Sequence, residues 1–331
     1  MSEIDFVRGV CLKLYFVSHP SLAQSTFRVS YLRLLGLLLL SLLLAAALPR
    51  LSSARKQSAA EPNTARPGQR SGPVLLQSVL DDNPIDDTET FVRQHYSDFL
   101  AREPDEAGLA FWIDNIESCG EDAQCREAKR IDTSAAYFLS IEFQETGYFV
   151  HRFYKASFGR RPLLAEFLAD KHAIGEGVVV NSPGWSELLE ENKQAFVDDW
   201  ISRVGFALVY DSLPDVQFVD TLIGNTGATF TETDRDALVD VLNTGALTRA
   251  QVLRLIVENE AFATLEYNAA FVEMQYFGYL RRNPQDPPNT DLSGFNFWLN
   301  KLNEFDGDFR RAEMVKAFLV SGEYRQRFGA P

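Results

Sequence analysis

The chain has 331 residues, of which 46% are hydrophobic, 12% aromatic and 24% charged. That much apolar and aromatic surface excludes wholesale disorder, collagen and small disulfide scaffolds. With 32 basic against 46 acidic side chains the net charge is −14; this argues against a nucleic-acid partner, because affinity for phosphate backbones comes mostly from clustered Lys and Arg.

The charge is unevenly spread along the chain. Residues 1–48 carry four basic and two acidic groups and residues 49–80 five and one, so the remaining 251 hold 23 basic and 43 acidic groups. From Leu34 to Leu48 the chain is apolar except for Gly36 and Ser41, with Arg28 and Arg33 before the run and Ala45, Ala46 and Ala47 near its end. A charged front, a short apolar stretch and an A-x-A end predict an N-terminal extension and signal peptide over 1–48, with translation starting near Val29. A spanning helix needs about 20 apolar residues. Membrane attachment is therefore expected only through an uncleaved leader.

Residues 49–80 hold Pro49, Pro62, Pro67 and Pro73 among Ser, Ala, Arg and Gln. Without an apolar period they predict a disordered spacer, and the folded body should begin near Asp81. Export leaves Cys119 and Cys125 in an oxidising compartment. Two cysteines with five residues between them predict one disulfide closing a small loop, worth about 2 kcal/mol on the loop-entropy argument.

The body repeats itself. Phe91, Val92, Tyr96, Leu100, Arg102 and Pro104 recur at an offset of 58 as Phe149, Val150, Tyr154, Phe158, Arg160 and Pro162. They recur at an offset of 180 as Phe271, Val272, Tyr276, Leu280, Arg282 and Pro284. The first and last copies continue together through Gly108 and Gly294, Phe111-Trp112 and Phe297-Trp298, Ser140-x-Glu142-Phe143 and Ser321-x-Glu323-Tyr324. Apolar residues at 91, 92, 96, 99 and 100, at 109, 112, 113 and 116, and at 131, 135, 138, 139 and 143 mark three helical stripes per copy. The predicted fold is all-α: tandem three-helix units packed as one array or two paired lobes. The first lobe spans 81–206, with its best unit at 86–143 and a degenerate one at 149–206. The second spans 207–331, with a degenerate unit at 218–262 and its best at 271–324. Asp105 and Asp291 follow proline-bearing turns where helix caps belong.

The pattern Phe-Val-x3-Tyr-x3-Leu-x-Arg-x-Pro-Asp-x2-Gly-x2-Phe-Trp, closed by Ser-x-Glu-Phe, resembles the bacterial family called domain of unknown function 4214. That resemblance implies a helical domain similar to the linker domains of phycobilisomes, in an exported or cell-surface setting. It implies no reaction.

Motifs for chemistry are sparse. The chain has no H-E-x-x-H, C-x-x-C, G-x-S-x-G or P-loop sequence, and Gly224-Asn225-Thr226-Gly227 reads as a turn. His95 is replaced by Phe153 and Gln275 in the other copies, and His151 and His172 have no ligand-spaced neighbours; all read as packing or surface residues. Asn289-x-Asp291-x-Ser293-Gly294 mimics a calcium loop, but its twelfth position is Asn300, where a bidentate Glu is wanted. Capping explains Asp105 and Asp291 better. Catalytic, cofactor and metal sites are therefore expected to be absent. Trp112 and Trp298 lie on the apolar stripe and predict core packing. Phe111 and Phe297 flank it as possible surface contacts. Arg102 with Glu142, and Arg282 with Glu323, recur at either end of a unit and predict structural ion pairs, the alternative being a repeated anion or sulfated-glycan site. The expected function is an exported, non-enzymatic interaction or scaffolding module of the cell envelope, with a protein or glycan partner. The alternative is a carbohydrate-binding or carboxylate-dependent glycan-hydrolysing protein.

Overall fold

The computed structural model describes residues 83–329, all within a unit that begins at Leu76. The apolar run at 34–48 and the spacer at 49–80 lie outside the described residues. The described chain is all-α, with no strand among the described residues.

The first copy opens with α1 (Thr88–His95), capped by Asp87, whose carboxylate accepts from the Thr90 amide at 2.8 Å. It runs into a π-helical turn, Tyr96–Leu100, and stops at Ala101, which is left-handed with φ 57°. Helix α2 (Glu106–Glu117) follows, and Asp105 caps it by accepting from the Gly108 amide at 2.8 Å. The Cys119–Cys125 disulfide ties the turn between α2 and α3 (Ala123–Leu139). Next come α4 (Ile141–Phe143), a second π turn (Gln144–Tyr148) and α5 (Phe149–Phe158) as one continuous run.

The middle of the chain forms α6 (Leu164–Gly175), α7 (Trp185–Ser202), α8 (Val204–Tyr210), α9 (Asp215–Thr226), α10 (Glu232–Asn243) and α11 (Arg249–Val257). The last copy begins in α12 (Glu260–Gln275), with its own π turn at Tyr276–Leu280, and continues through α13 (Ser293–Glu304), α14 (Met314–Leu319) and α15 (Gly322–Gln326). The lobe boundary expected between 206 and 207 falls inside α8, because Phe206 and Tyr210 share one buried face of that helix.

Repeat symmetry is visible in the backbone. Ala101, Gly159 and Arg281 occupy the same repeat position, and all three are left-handed helix stops, with φ 57°, 65° and 54°. Ser140, Asn259 and Ser321 each accept from the amide three residues on, at 3.1 Å, to start a new helix. The motif glycines have a steric cause. A Cβ at Gly108 would stand 2.4 Å from the Tyr96 hydroxyl, and one at Gly294 would stand 2.8 Å from that of Tyr276.

Two details of the last copy differ from expectation. Its third helix is broken: residues 305–313 are turns, and only Met314–Leu319 is helical. Asp306, Gly307 and Glu313 all take positive φ there, which a right-handed helix does not tolerate. Asp291 also stands one residue outside the cap position, which Leu292 fills, and its carboxylate accepts from the Ser293 amide at 2.8 Å.

Helix α5 is the centre of the body. Phe149, Val150, Phe153, Tyr154 and Ala156 are buried on it, and α6, α9, α11 and α12 pack around it. The first and last copies also touch directly. Phe99 meets its repeat equivalent Tyr279 with ring centroids 5.3 Å apart, and Phe99 lies against Gly278, where a Cβ would clash with its ring at 1.8 Å. Arg327 donates to the Asp98 carboxylate at 2.9 Å and to the Tyr279 carbonyl at 2.8 Å, tying itself to the π turns of the first and last copies.

Candidate functional site

The expected arginine–glutamate pairs are both brought together. Arg102 donates from Nε to Glu142 Oε1 at 2.9 Å and from a terminal nitrogen to Oε2 at 3.0 Å, a two-pronged contact. Its remaining nitrogen donates to the Glu103 carbonyl at 3.2 Å. In the last copy Arg282 makes the same contacts to Glu323 at 2.5 and 3.1 Å, and donates to the carbonyls of Asn283 and Asp286. Each guanidinium lies over the motif tyrosine, Arg102 at 5.0 Å from the Tyr96 centroid and Arg282 at 5.3 Å from Tyr276. The middle copy keeps the stack, Arg160 over Tyr154 at 5.0 Å, but pairs instead with Glu166 at 2.8 Å. These heads are occupied by carboxylates and carbonyls, an arrangement that clamps the turn after the first helix to the start of the fourth.

Of the histidines read as packing or surface residues, His172 is exposed and His95 and His151 are buried. His95 is fully buried, with Nδ1 at 2.8 Å from the Phe91 carbonyl and Nε2 at 2.7 Å from Ser134 Oγ. A carbonyl can only accept, so Nδ1 carries the proton, Nε2 accepts from Ser134, and Ser134 in turn accepts from the Tyr279 hydroxyl. One neutral relay thus crosses from the first copy to the last. Burial pushes the His95 pKa down to about 3. A folded value below the unfolded one gives stability that is present above pH 6.5 and lost as pH falls toward 3. Between pH 7 and pH 5 the loss should be about 2 kcal/mol. Gln275, at the same repeat position, donates to the Phe271 carbonyl at 3.1 Å as His95 does to Phe91. His95→Gln should therefore keep the fold at pH 7 and lose much of the acid sensitivity; denaturant titrations at pH 7 and pH 5 that show the same loss as wild type would count against it.

His151 is the residue that sequence reasoning missed. It is fully buried on α5, and both ring nitrogens face carboxylates of α12: Nδ1 lies 2.6 Å from Glu273 Oε2 and Nε2 lies 2.9 Å from Glu266 Oε2. Burial alone disfavours the charged ring, but the Glu273 charge and the hydrogen bonds to both glutamates outweigh it, so the pKa is raised. Burial of Glu266 works to raise its pKa, but the hydrogen bond and charge of His151, with Lys155 and Arg161 nearby, together outweigh it and the pKa is lowered. Arg161 approaches Glu273 Oε1 at 3.7 Å and completes a charge-balanced cluster. A signal was present in the sequence: Glu266 and Glu273 are seven residues apart on one helix face, and His151 and Glu273 occupy the same repeat position.

Lys171 is a second buried cation. It is 5% exposed, and burial lowers its pKa to about 8. Its ammonium lies 5.6 Å from the Phe143 ring centroid. Among the described residues no group of three or more His, Cys, Asp or Glu side chains is placed to hold a metal ion. The calcium-like loop spends its groups on the backbone: Asn289 donates to the Pro284 carbonyl at 2.8 Å, and Asp291 accepts from Ser293.

The surface carries the remaining features. Trp112 and Trp298 are partly buried against the core, whereas Phe111 and Phe297 beside them are 52% and 57% exposed. Helix α8 reads Val-Gly-Phe-Ala-Leu-Val-Tyr, without one charged side chain. Its inner face buries Phe206 and Tyr210, while Val204 and Leu208, one turn apart, are 74% and 80% exposed. No helix among the described residues is long and apolar enough to cross a membrane.

A search of the curated proteins and of the solved structures found no match to the chain. Residues 82–125, which hold α1, its π turn, α2 and the disulfide loop, match the family described as Domain of unknown function (DUF4214), and the chain therefore carries a domain of that family.

Proposed function

We propose that the protein is an exported interaction module of the cell envelope whose partner seats on the outer face of α8. The observation that carries this reading is that a seven-residue helix without charged side chains buries one face and leaves the other apolar and exposed. A helix apolar all round is normally covered, and on a body with 43 acids an uncovered apolar turn marks a contact surface. The apolar run at 34–48 and the Cys119–Cys125 disulfide support export. The repeat copies then act as a rigid block that presents α8, with the arginine clamps fixing the helices within the first and last copies and the His95 relay joining those two copies.

A glycan-binding reading is favoured by a different observation: Phe111 and Phe297 project at equivalent positions of α2 and α13, as a repeated aromatic platform does. The two readings part in one experiment. Purified protein is titrated against an envelope extract before and after protease treatment, with Leu208→Asp and Phe297→Ala as variants. An interaction module loses binding after proteolysis and at least about tenfold of its affinity in Leu208→Asp, the effect expected of a desolvated apolar anchor. Binding that survives proteolysis and falls only in Phe297→Ala identifies the glycan reader.

A further inference from the structure

Where residues 85–91 meet α3, α14 and α15, they line an open cavity of about 320 Å³. Its floor and walls are largely apolar, from Phe91, Ile131, Leu319 and Val320, while Arg126, Arg130, Lys316 and Arg325 bring cationic heads to it. On a body this acidic, four cations against the two lining carboxylates of Asp86 and Glu127 is a local reversal of charge.

Three of those cations are neutralised. Arg126 makes a two-pronged contact with Glu117 at 2.7 Å, Lys316 pairs with Glu127 at 3.0 Å, and Arg325 makes a two-pronged contact with Asp86 at 2.7 Å. Arg130 is the exception. It donates to the carbonyls of Ile85 at 2.6 Å and Asp86 at 3.2 Å, and its guanidinium lies 3.9 Å from the Phe91 centroid. Among the described residues no carboxylate lies within ion-pair distance of it. Two of five N–H groups are used, which leaves an edge able to bind a carboxylate. Tyr324, in the same wall, has a buried hydroxyl without a hydrogen-bond partner. Arg130 is half-buried over the Phe91 ring with only carbonyls as hydrogen-bond partners, and a partly desolvated cation in that state gains from an incoming anion.

We propose that this cavity binds a small organic carboxylate with an apolar body, its carboxylate on the open edge of Arg130 and its body against Ile131, Leu319 and Val320. The size suits an aryl or branched-chain acid, and the volume lies at the small end of ligand pockets. The site is separate from the α8 surface, so the two proposals stand or fall independently.

The test uses the full chain. Calorimetric titration with phenylacetate should give saturable binding; phenylacetamide, which lacks the charge, and acetate, which lacks the body, should each bind at least about tenfold more weakly, as expected for loss of a charge-assisted hydrogen bond or of the buried ring. Arg130→Gln removes the charge, and Leu319→Trp fills the cavity without touching it. Both should abolish phenylacetate binding, while Leu208→Asp leaves it unchanged. Because Arg130→Gln also frees the carbonyls of Ile85 and Asp86, the Leu319→Trp result and the shift of the Arg130 Nε resonance on titration stand as checks that need no loss of a structural contact. Absence of phenylacetate binding, equal binding of phenylacetamide, or binding retained in Leu319→Trp each overturns the proposal.

Discussion

Truncating Glu273 to Ala should destabilise the folded body by about 3–5 kcal/mol, the cost of leaving a buried charge without its partner. Glu273 is 1% exposed and lies 2.6 Å from His151, which is itself fully buried. The carboxylate contributes the largest of the effects that raise the His151 pKa; without it, burial weighs more heavily against the charged ring, and Glu266 alone is left to offset it. The pH dependence follows from the directions of the shifts. His151 has a folded pKa above the ordinary 6.5, so its contribution is fully present below pH 6.5 and is lost as pH rises through the folded value. Glu266 has a folded pKa below the ordinary 4.5, so its contribution is present above pH 4.5 and is lost as pH falls through the folded value. The cluster is therefore most stabilising between about pH 4.5 and 6.5, and Glu273→Ala should flatten the decline on the alkaline side. Replacing the whole cluster, His151→Leu and Glu273→Leu with Glu266→Gln, should recover much of the loss, because no carboxylate or imidazolium is then left without its partner. Denaturant titrations across pH 5 to 9 measure all three; a single-mutant loss below about 1 kcal/mol, in the range of surface changes, would contradict the buried cluster.

Arg102→Ala should cost a comparable amount, about 3–5 kcal/mol, since the Glu142 side chain is 9% exposed and would be left uncompensated. The interaction is a two-pronged contact supported by a stack over Tyr96, so Lys is not an adequate substitute. The Arg102→Ala, Glu142→Ala double variant should lose much less than the sum of the singles. Arg282 and Glu323 make the parallel contact, but Glu323 is 34% exposed at the side chain, so Arg282→Ala should cost less. If the arginines instead served as a repeated anion site, the cycle would show no coupling, and sulfate would stabilise the protein in proportion to its occupancy of Arg102.

The elements most legible in the sequence were those fixed by local chemistry. The helix start at Asp105 follows from a side-chain oxygen three residues before an amide, a relation that needs no tertiary information; Ser140 and Ser321 start helices in the same way, although the apolar spacing over 131–143 runs straight through Ser140. The glycines at 108 and 294 mark the repeat because the Tyr96 and Tyr276 hydroxyls occupy the space of a Cβ. What was not legible depends on contacts more than a hundred residues apart. His151 reads as an ordinary helix residue until α12 brings Glu266 and Glu273 to it, 115 and 122 residues on. Equally, the third helix of the last copy keeps its apolar spacing at 315 and 318, yet the positive φ at Asp306, Gly307 and Glu313 breaks it, and spacing does not report on φ. The exposed face of α8 is hidden for the opposite reason: an uncharged helix reads as core, and only the packing shows that Val204 and Leu208 face outward.

The claim that α8 is a docking surface is tested most directly by placing a photo-crosslinking residue, p-benzoylphenylalanine, at position 208 of the full chain and irradiating it in intact cells that produce the protein. Glu190, on a solvated face of α7 where it pairs with Arg254, serves as the reference position. The account predicts one discrete adduct from position 208 that is absent from position 190 and disappears when Val204→Asp is added to the same chain. An adduct pattern at position 208 indistinguishable from that at 190, or one indifferent to Val204→Asp, contradicts it.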